Sequence, residues 1–181
     1  MTVSKSSKRD FVAVILAALW AVSIIFSLIY IFKNRMVAFD PEQKILSEFS
    51  STLDYLDAFS KLFSKSLNGE KIVLRITDSG CSCNTGSELH WRTLKQTYST
   101  ATFIELDIND LAADIRALVP STPMAIVSDA NAVVLYAGPF SDSITCSSDN
   151  SLIEAYLKDS LTMRYVPLAI EGCYCKNKSI K

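Results

Sequence analysis

An uncharged apolar run near the start of the chain constrains the fold most strongly. Residues 11–32 read FVAVILAALWAVSIIFSLIYIF, a stretch of 22 residues without an acidic or basic side chain. At a rise of about 1.5 Å per residue, a helix of this length spans roughly 33 Å, which matches the hydrocarbon core of a bilayer. The apolar region of a cleaved signal peptide is usually shorter, about 7–15 residues. The run therefore predicts an uncleaved transmembrane helix over 11–32, preceded by a short basic cytoplasmic segment at 1–10.

Charges and cysteines indicate the orientation of this helix. Three basic residues precede the span and two follow it, which favours an N-terminus in the cytoplasm. Five cysteines in a small domain suit an oxidising compartment better than the cytosol. We therefore expect a single-pass inner-membrane protein whose residues 40–181 lie in a bacterial periplasm. The net charge of −1 excludes a strongly basic protein that binds nucleic acid through charge alone.

A helical pattern follows the span. Asp40 and Pro41 suit the first positions of a helix. Apolar side chains then recur at helical spacing, at Leu46, Phe49, Leu53, Leu56, Phe63 and Leu67. The pattern predicts an amphipathic helical stalk over 40–68. Its apolar stripe either packs on the domain behind it, which we favour, or forms a coiled-coil homodimer, for which about three heptads are few.

The next part of the chain, residues 71–163, alternates between strand-like and helix-like segments. Strands are predicted at 71–77, 102–108, 124–128 and 132–138, and helices from Cys83 to Tyr98, after Asn109 and after Ser151. This order predicts an α/β domain with a mixed sheet and helices on both faces.

Three segments of this domain resemble the thioredoxin family. IVLRITDSGC places Cys81 between a core strand and a helix, FIELDIND resembles the family's second strand, and STPMAIVSDANAVVLYAGPF resembles its proline–hairpin–glycine segment. The resemblance implies a thioredoxin-like domain over 71–163, with Pro123 as a cis-proline facing the active site. It also implies that the backbone of Thr122 lies against the thiols and pairs with an extended substrate.

The active-site sequence departs from the family pattern. Cys81-Ser82-Cys83 replaces Cys-x-x-Cys, and Arg75 stands where the family has a buried acid. A thiol at a helix N-terminus faces unpaired N–H groups, which favour the thiolate and lower the thiol pKa. We expect Cys81 to be the attacking thiol and Cys83 the resolving thiol, and Arg75 to form an ion pair with an acid on the next strand. A Cys81–Cys83 bridge requires Cys81 to lie outside the helix, because residues two apart point to opposite sides of a helix.

The C-terminal tail, residues 164–181, repeats the C-x-C spacing at Cys173 and Cys175. In an extended segment these two side chains point the same way. An extended tail is also long enough to run back along a helix to the Cys81 end. We expect Cys173 and Cys175 to be a second redox pair or disulfide. Cys146 would then join them in one region, and five cysteines leave one thiol unpaired.

Three functions remain open from the sequence. The leading hypothesis is a membrane-anchored thiol–disulfide oxidoreductase that acts on extracytoplasmic protein thiols or disulfides, without a metal or an organic cofactor, because the electrons reside in the thiols. The main alternative is a thiol-based copper chaperone, since clustered thiolates favour Cu(I) or Zn, although C-x-C lacks the usual zinc spacing. The third is a non-catalytic module with structural disulfides.

Overall fold

The computed structural model describes residues 5–63, 70–142 and 151–178 of the chain. The chain divides into two compact units, Met1–Arg35 and Met36–Lys181. The second unit therefore begins well before the globular domain that the sequence predicts, and it includes the C-terminal tail.

The first unit is a single helix, α1 (Lys5–Arg35). Its segment Asp10–Tyr30 is long and apolar enough to cross a membrane, and none of its most apolar window is buried. Large apolar side chains are exposed along the whole of this segment, so Asp10–Tyr30 lacks the polar face that an amphipathic helix has. The structure thus contains the long apolar helix that the sequence predicts over 11–32.

The second unit combines helices with short strands. In chain order its described part runs through β1 (Val37–Ala38), α2 (Lys44–Glu48), α3 (Thr52–Ala58), a 3-10 helix (Ser60–Phe63), β2 (Ile72–Thr77), α4 (Cys83–Thr97), β3 (Thr102–Asp107), a second 3-10 helix (Ile108–Asp110), α5 (Ala113–Leu118), β4 (Ser121–Thr122), β5 (Met124–Ser128), β6 (Val134–Pro139), α6 (Glu154–Leu157), β7 (Glu171–Gly172) and β8 (Cys175–Lys176).

Four of these strands form a mixed sheet in the order β3-β2-β5-β6. β2 and β3 are parallel, whereas β5 is antiparallel to both β2 and β6. The connection from β2 to β3 passes through α4, as a parallel pair requires. This is the mixed sheet that the sequence predicts, and each observed strand begins and ends within two residues of its predicted bounds.

β2 is buried on both faces, and its side chains alternate between two hydrophobic layers. Leu74 packs in a layer with Leu56 of α3 and Ile115 of α5. Val73 packs in the other layer with Trp91 of α4 and Tyr156 of α6. Helices therefore cover both faces of the sheet, as predicted. The strand that leads to Cys81 is consequently held between two packed layers.

The segment 40–68 differs from the single helix that the sequence predicts. Phe49 adopts an extended conformation after α2, and α3 begins only after Ser51. The Ser51 hydroxyl accepts a hydrogen bond from the Asp54 N–H at 3.2 Å. Serine competes for backbone hydrogen bonds inside a helix and is favoured at its start. The Ser50-Ser51 pair therefore divides the segment into two helices. The last part of the predicted stalk, including Leu67, lies outside the described residues.

The described part of this segment packs on its own domain. Leu56 and Phe63 are buried in the same layer as Leu74. The Tyr55 hydroxyl donates to the Leu118 carbonyl at 2.9 Å, and Asp40 accepts from the Ile45 N–H at 2.9 Å. Part of the apolar stripe thus covers the domain, whereas Leu46 and Leu53 are 58% and 46% exposed. Two side chains of the predicted coiled-coil stripe are thereby enclosed within the protomer.

Two small ladders join the C-terminal tail to the rest of the second unit. β7 pairs antiparallel with β1, and β8 pairs antiparallel with β4. The Phe39 N–H also donates to the Ile170 carbonyl at 2.9 Å. The tail is therefore part of the domain rather than an appendage after residue 163.

Candidate functional site: a cluster of four cysteines

Cys81 lies in the loop between β2 and α4, one residue before the N-cap Ser82. The Cys81 N–H donates to the Asp78 carbonyl at 2.8 Å, and the Ser79 N–H donates to a carboxylate oxygen of Asp107 at 3.0 Å. The sequence places Cys81 between this strand and this helix, outside the helix itself, and the structure agrees. One hydrogen bond within the loop and one to the end of β3 thus order the backbone that carries Cys81.

Each cysteine of the first C-x-C pair is bonded to a cysteine of the second. Cys81 forms a disulfide with Cys175, and Cys83 forms one with Cys173. The Cα–Cα distances are 5.8 Å and 5.5 Å, respectively, within the usual range for disulfides. The tail reaches the start of α4, as expected, but the pairs run between the two C-x-C motifs. No bridge joins Cys81 to Cys83 or Cys173 to Cys175.

The sulfurs of these residues form one cluster. Those of Cys81, Cys83 and Cys175 all lie within 4.8 Å of one another. Cys81, Cys83 and Cys173 are 5%, 7% and 8% exposed, and Cys175 is the one partly exposed member. Cys175 is therefore the most exposed residue of the four. Cys146, which the sequence would bring to the same region, lies outside the described residues.

The Thr122–Pro123 peptide bond is cis, as the sequence resemblance implies. The Cys81 sulfur lies 3.6 Å from the Thr122 carbonyl oxygen. Thr122 is paired with Cys175 across the β4–β8 ladder. The backbone edge on which the sequence resemblance places an extended substrate is thus occupied by the chain's own tail.

Three further residues hold the tail in this position. Tyr174 is buried, donates its hydroxyl to the Ser141 carbonyl at 2.5 Å and packs edge-on against Phe39. Asn177 is also buried, and its side-chain amide donates to two carbonyls of the α5 end at 2.9 Å each. Lys176 pairs with Glu42 at 2.5 Å. The tail is therefore fixed by packing and hydrogen bonds as well as by sulfur.

Arg75 lies buried beneath the first turns of α4. Its guanidinium lies 3.3 Å from Glu105 on β3, which is the ion pair with the next strand that the sequence predicts. It also contacts Glu88 at 2.9 Å and donates to the Asn84 carbonyl at 3.1 Å. The hydrogen bond from Arg75 lowers the pKa of Glu88. Arg75 thus ties the turn that carries Cys83 to the sheet.

The one histidine, His90, takes no part in the cluster. It is buried on α4, and its ring packs edge-on against Phe140 at 5.1 Å. Burial lowers its pKa, so the imidazole is neutral at pH 7. The sequence correctly leaves it out of the site, because it follows Cys83 by two helical turns.

Sequence reasoning missed the residues that position the sulfurs. Asp78 and Asp107 order the Cys81 loop, and Tyr174 and Asn177 order the tail. Their partners are mostly backbone groups far away in the chain, which leave no local pattern to read. The one available signal was that an aromatic residue separates the two tail cysteines.

All four clustered cysteines lie in the part of the chain that matches a known family. No curated protein matches the chain. Residues 53–177 match the family model of a domain of unknown function, DUF6436. The match begins inside α3 and ends at Asn177, so it includes both C-x-C pairs and the paired tail. The chain belongs to the DUF6436 family.

Proposed function

We propose that this protein is a membrane-anchored, thioredoxin-like thiol–disulfide oxidoreductase that acts on extracytoplasmic protein thiols. The observation that carries the proposal is the Cys81–Cys175 disulfide. It lies between a central strand and the start of a helix, beside the cis-proline, and one of its two residues, Cys175, is partly exposed. Thiolate exchange requires access to a sulfur and a leaving thiolate that its surroundings stabilise.

Because Cys175 is partly exposed and Cys81 is buried, the two cysteines of this disulfide have different roles in the proposed reaction. A substrate thiolate attacks the Cys175 sulfur, the bond to Cys81 breaks, and Cys81 leaves as a thiolate beside the N-terminal N–H groups of α4. A second substrate thiolate then attacks the substrate sulfur of the mixed disulfide and releases Cys175. The substrate gains a disulfide, and Cys81 and Cys175 receive two electrons and two protons.

The reverse reaction uses the same sulfurs. The Cys175 thiolate attacks a substrate disulfide, and the Cys81 thiolate resolves the mixed disulfide by attacking Cys175. In this scheme Cys175 takes the attacking role that the sequence predicts for Cys81, and Cys81 takes the resolving role that the sequence predicts for Cys83. The tail stays docked throughout, because Tyr174 and Asn177 hold it independently of the disulfides.

The cell compartment follows from the same chemistry. The second unit contains two disulfides. Disulfides persist in oxidising compartments and are rare in the cytosol. We therefore place the second unit in the periplasm, with α1 as the anchor in the inner membrane. Fusion of a reporter enzyme that is active only after export to the C-terminus tests this orientation, and activity only of a cytoplasmic reporter would contradict it.

Exchange itself is tested with the full chain in lipid nanodiscs. The unmodified protein should oxidise a peptide dithiol and become reduced by two electrons at Cys81 and Cys175. The double variant Cys81→Ser/Cys175→Ser should exchange no faster than buffer. The matched double variant Cys83→Ser/Cys173→Ser removes the neighbouring disulfide and should keep the activity. Equal loss in both variants, or no exchange by the unmodified protein, would refute the proposal.

A second candidate is a non-catalytic module with structural disulfides. The observation that favours it is the burial of three of the four sulfurs. Structural disulfides typically have potentials below about −300 mV, whereas reactive ones are more oxidising. Equilibration of the protein with dithiol redox buffers, followed by thiol counting on peptides, separates the two candidates.

A further inference from the structure

We propose that the reduced cysteine cluster is a binding site for one Cu(I) ion, with the sulfurs of Cys81, Cys83 and Cys175 as its ligands. This inference goes beyond the exchange reaction and does not rest on it. It requires only that both disulfides can be opened by a dithiol reductant.

The geometry of the three sulfurs suits one metal ion. They lie within 4.8 Å of one another in the oxidised protein, in which Cys81 is bonded to Cys175 and Cys83 is bonded to Cys173. With metal–sulfur bonds of roughly 2.3 Å, three ligands in a trigonal arrangement lie about 4.0 Å apart. Opening the Cys81–Cys175 bond moves those two sulfurs apart towards that spacing, and Cys83 is already within reach.

Contacts other than disulfides hold the three ligands in place. The Cys81 loop is ordered by Asp78, and the first turn of α4 is tied to Arg75 through the Asn84 carbonyl. Cys175 belongs to β8, which pairs with Thr122 and is flanked by the buried Tyr174. Reduction therefore leaves three thiols facing one point, rather than releasing them on flexible segments.

The donor set favours Cu(I) over other cations. Among the described residues, the candidate metal group contains sulfur donors only, with no histidine or carboxylate. Soft thiolates select Cu(I), Zn and iron–sulfur clusters, and structural Zn²⁺ takes four ligands. Cys173 is outside the group of three, so the set matches the low coordination number of Cu(I) better. The N-terminal N–H groups of α4 offset the negative charge of the thiolates.

The redox balance of site formation is simple. Two molecules of a dithiol reductant supply four electrons and four protons, which convert the two disulfides to four thiols. Binding of Cu(I) then displaces the protons of the three ligand thiols, so affinity should rise with pH.

Titration of the anaerobically reduced full chain in detergent tests the site, with Cu(I) supplied from a chromophoric chelator. We expect one Cu(I) per chain and a copper-edge X-ray absorption spectrum with three sulfurs and no nitrogen or oxygen in the first shell. Cys81→Ser, Cys83→Ser and Cys175→Ser should each weaken binding at least tenfold. The matched variant Cys173→Ser should bind as the unmodified protein does, and the oxidised protein should bind no copper.

Several results would overturn the inference. These are binding to the oxidised protein, a first shell with nitrogen or oxygen, unchanged affinity in the three ligand variants, or tighter binding of Zn²⁺ that is lost in Cys173→Ser. Tryptophan fluorescence of each reduced variant checks that it is folded. The copper-edge spectrum of the unmodified protein tests the ligand set without any substitution. Exchange assays run in the presence of a copper chelator keep the two proposals distinguishable.

Discussion

Thr122 and Cys175 are paired across the β4–β8 ladder, and the disulfide from Cys175 returns to Cys81, whose sulfur lies 3.6 Å from the Thr122 carbonyl oxygen. Backbone pairing and a covalent bond therefore join the same three residues. The tail supplies both a strand beside the cis-proline and a sulfur for the cysteine at the start of α4. The proposed exchange partner is consequently built into the fold instead of following Cys81 in the sequence.

The difference in exposure between Cys81 and Cys175 predicts an asymmetry in trapping. In Cys81→Ser the Cys175 thiol is left without its resolving partner, so mixed disulfides with substrates should accumulate on it. In Cys175→Ser the remaining Cys81 thiol is buried, and trapping should be slower. Mass spectrometry of peptides from non-reduced protein measures both species. Equal trapping by the two variants would contradict the assignment of Cys175 as the entry sulfur.

The two disulfides should contribute to stability in a strongly non-additive way. Each closes a long loop, with sequence separations of 94 and 90 residues, for which chain entropy gives about 4–5 kcal/mol. Once one is formed, the other joins segments that are already held together. Removing either pair as a Ser/Ser double variant should therefore cost about 1–2 kcal/mol, and removing both about 4–5 kcal/mol. Urea unfolding of the three variants measures the coupling, and additive losses would contradict this account.

Gly172 should tolerate no side chain. A Cβ at this position would lie 2.6 Å from the hydroxyl oxygen of Tyr174 and 2.7 Å from its Cζ. Because that ring is buried and its hydroxyl is bonded, Gly172→Ala should lower the free energy of unfolding by about 1–3 kcal/mol. Gly80→Ala is the matched control, since a Cβ at Gly80 would come no closer than 3.4 Å to another atom, the Oδ1 of Asp78. Thermal unfolding compares the two variants, and equal midpoints would contradict the prediction.

Asn177 should stabilise the docked tail. Asn177→Ala removes two side-chain hydrogen bonds and leaves the carbonyls of Arg116 and Val119 without these donors. We expect a loss of about 2 kcal/mol in the free energy of unfolding, measured in urea with both disulfides intact. Lys178→Ala, at an exposed position, serves as the control and should change little. A loss as large in the control would show that the effect is not specific to these bonds.

The Arg75–Glu88 contact should make stability depend on pH. The Arg75 hydrogen bond holds the pKa of Glu88 below its ordinary value of 4.5. The ionised carboxylate is therefore favoured in the folded state, and its contribution is complete above pH 4.5 and lost as the pH falls through the lowered pKa. Glu88→Gln should be less stable than the unmodified protein at pH 7 and lose this difference in acid. Chemical unfolding across this range is the measurement, and a pH-independent difference would contradict the prediction.

Much of the fold could be predicted from the sequence because its signals are local. A run of 22 uncharged residues is enough to indicate a long apolar helix. Short apolar segments that alternate with helix-like segments indicate the four strands of the mixed sheet. The expected ion pair of Arg75 also followed from its place on a central strand, since a buried guanidinium needs an acid nearby. These features depend on residues that are close together in the chain or adjacent in the sheet.

The sequence alone also determined that four cysteines come as two C-x-C pairs and that an extended tail is long enough to reach Cys81. Only the tertiary structure decided which sulfurs meet. Cys81 meets Cys175 because β8 pairs with β4 and Tyr174 enters the core, and both contacts join segments that are far apart in the chain. Spacing limits the pairings that a chain can make, but packing and strand register select one of them, and neither is encoded locally.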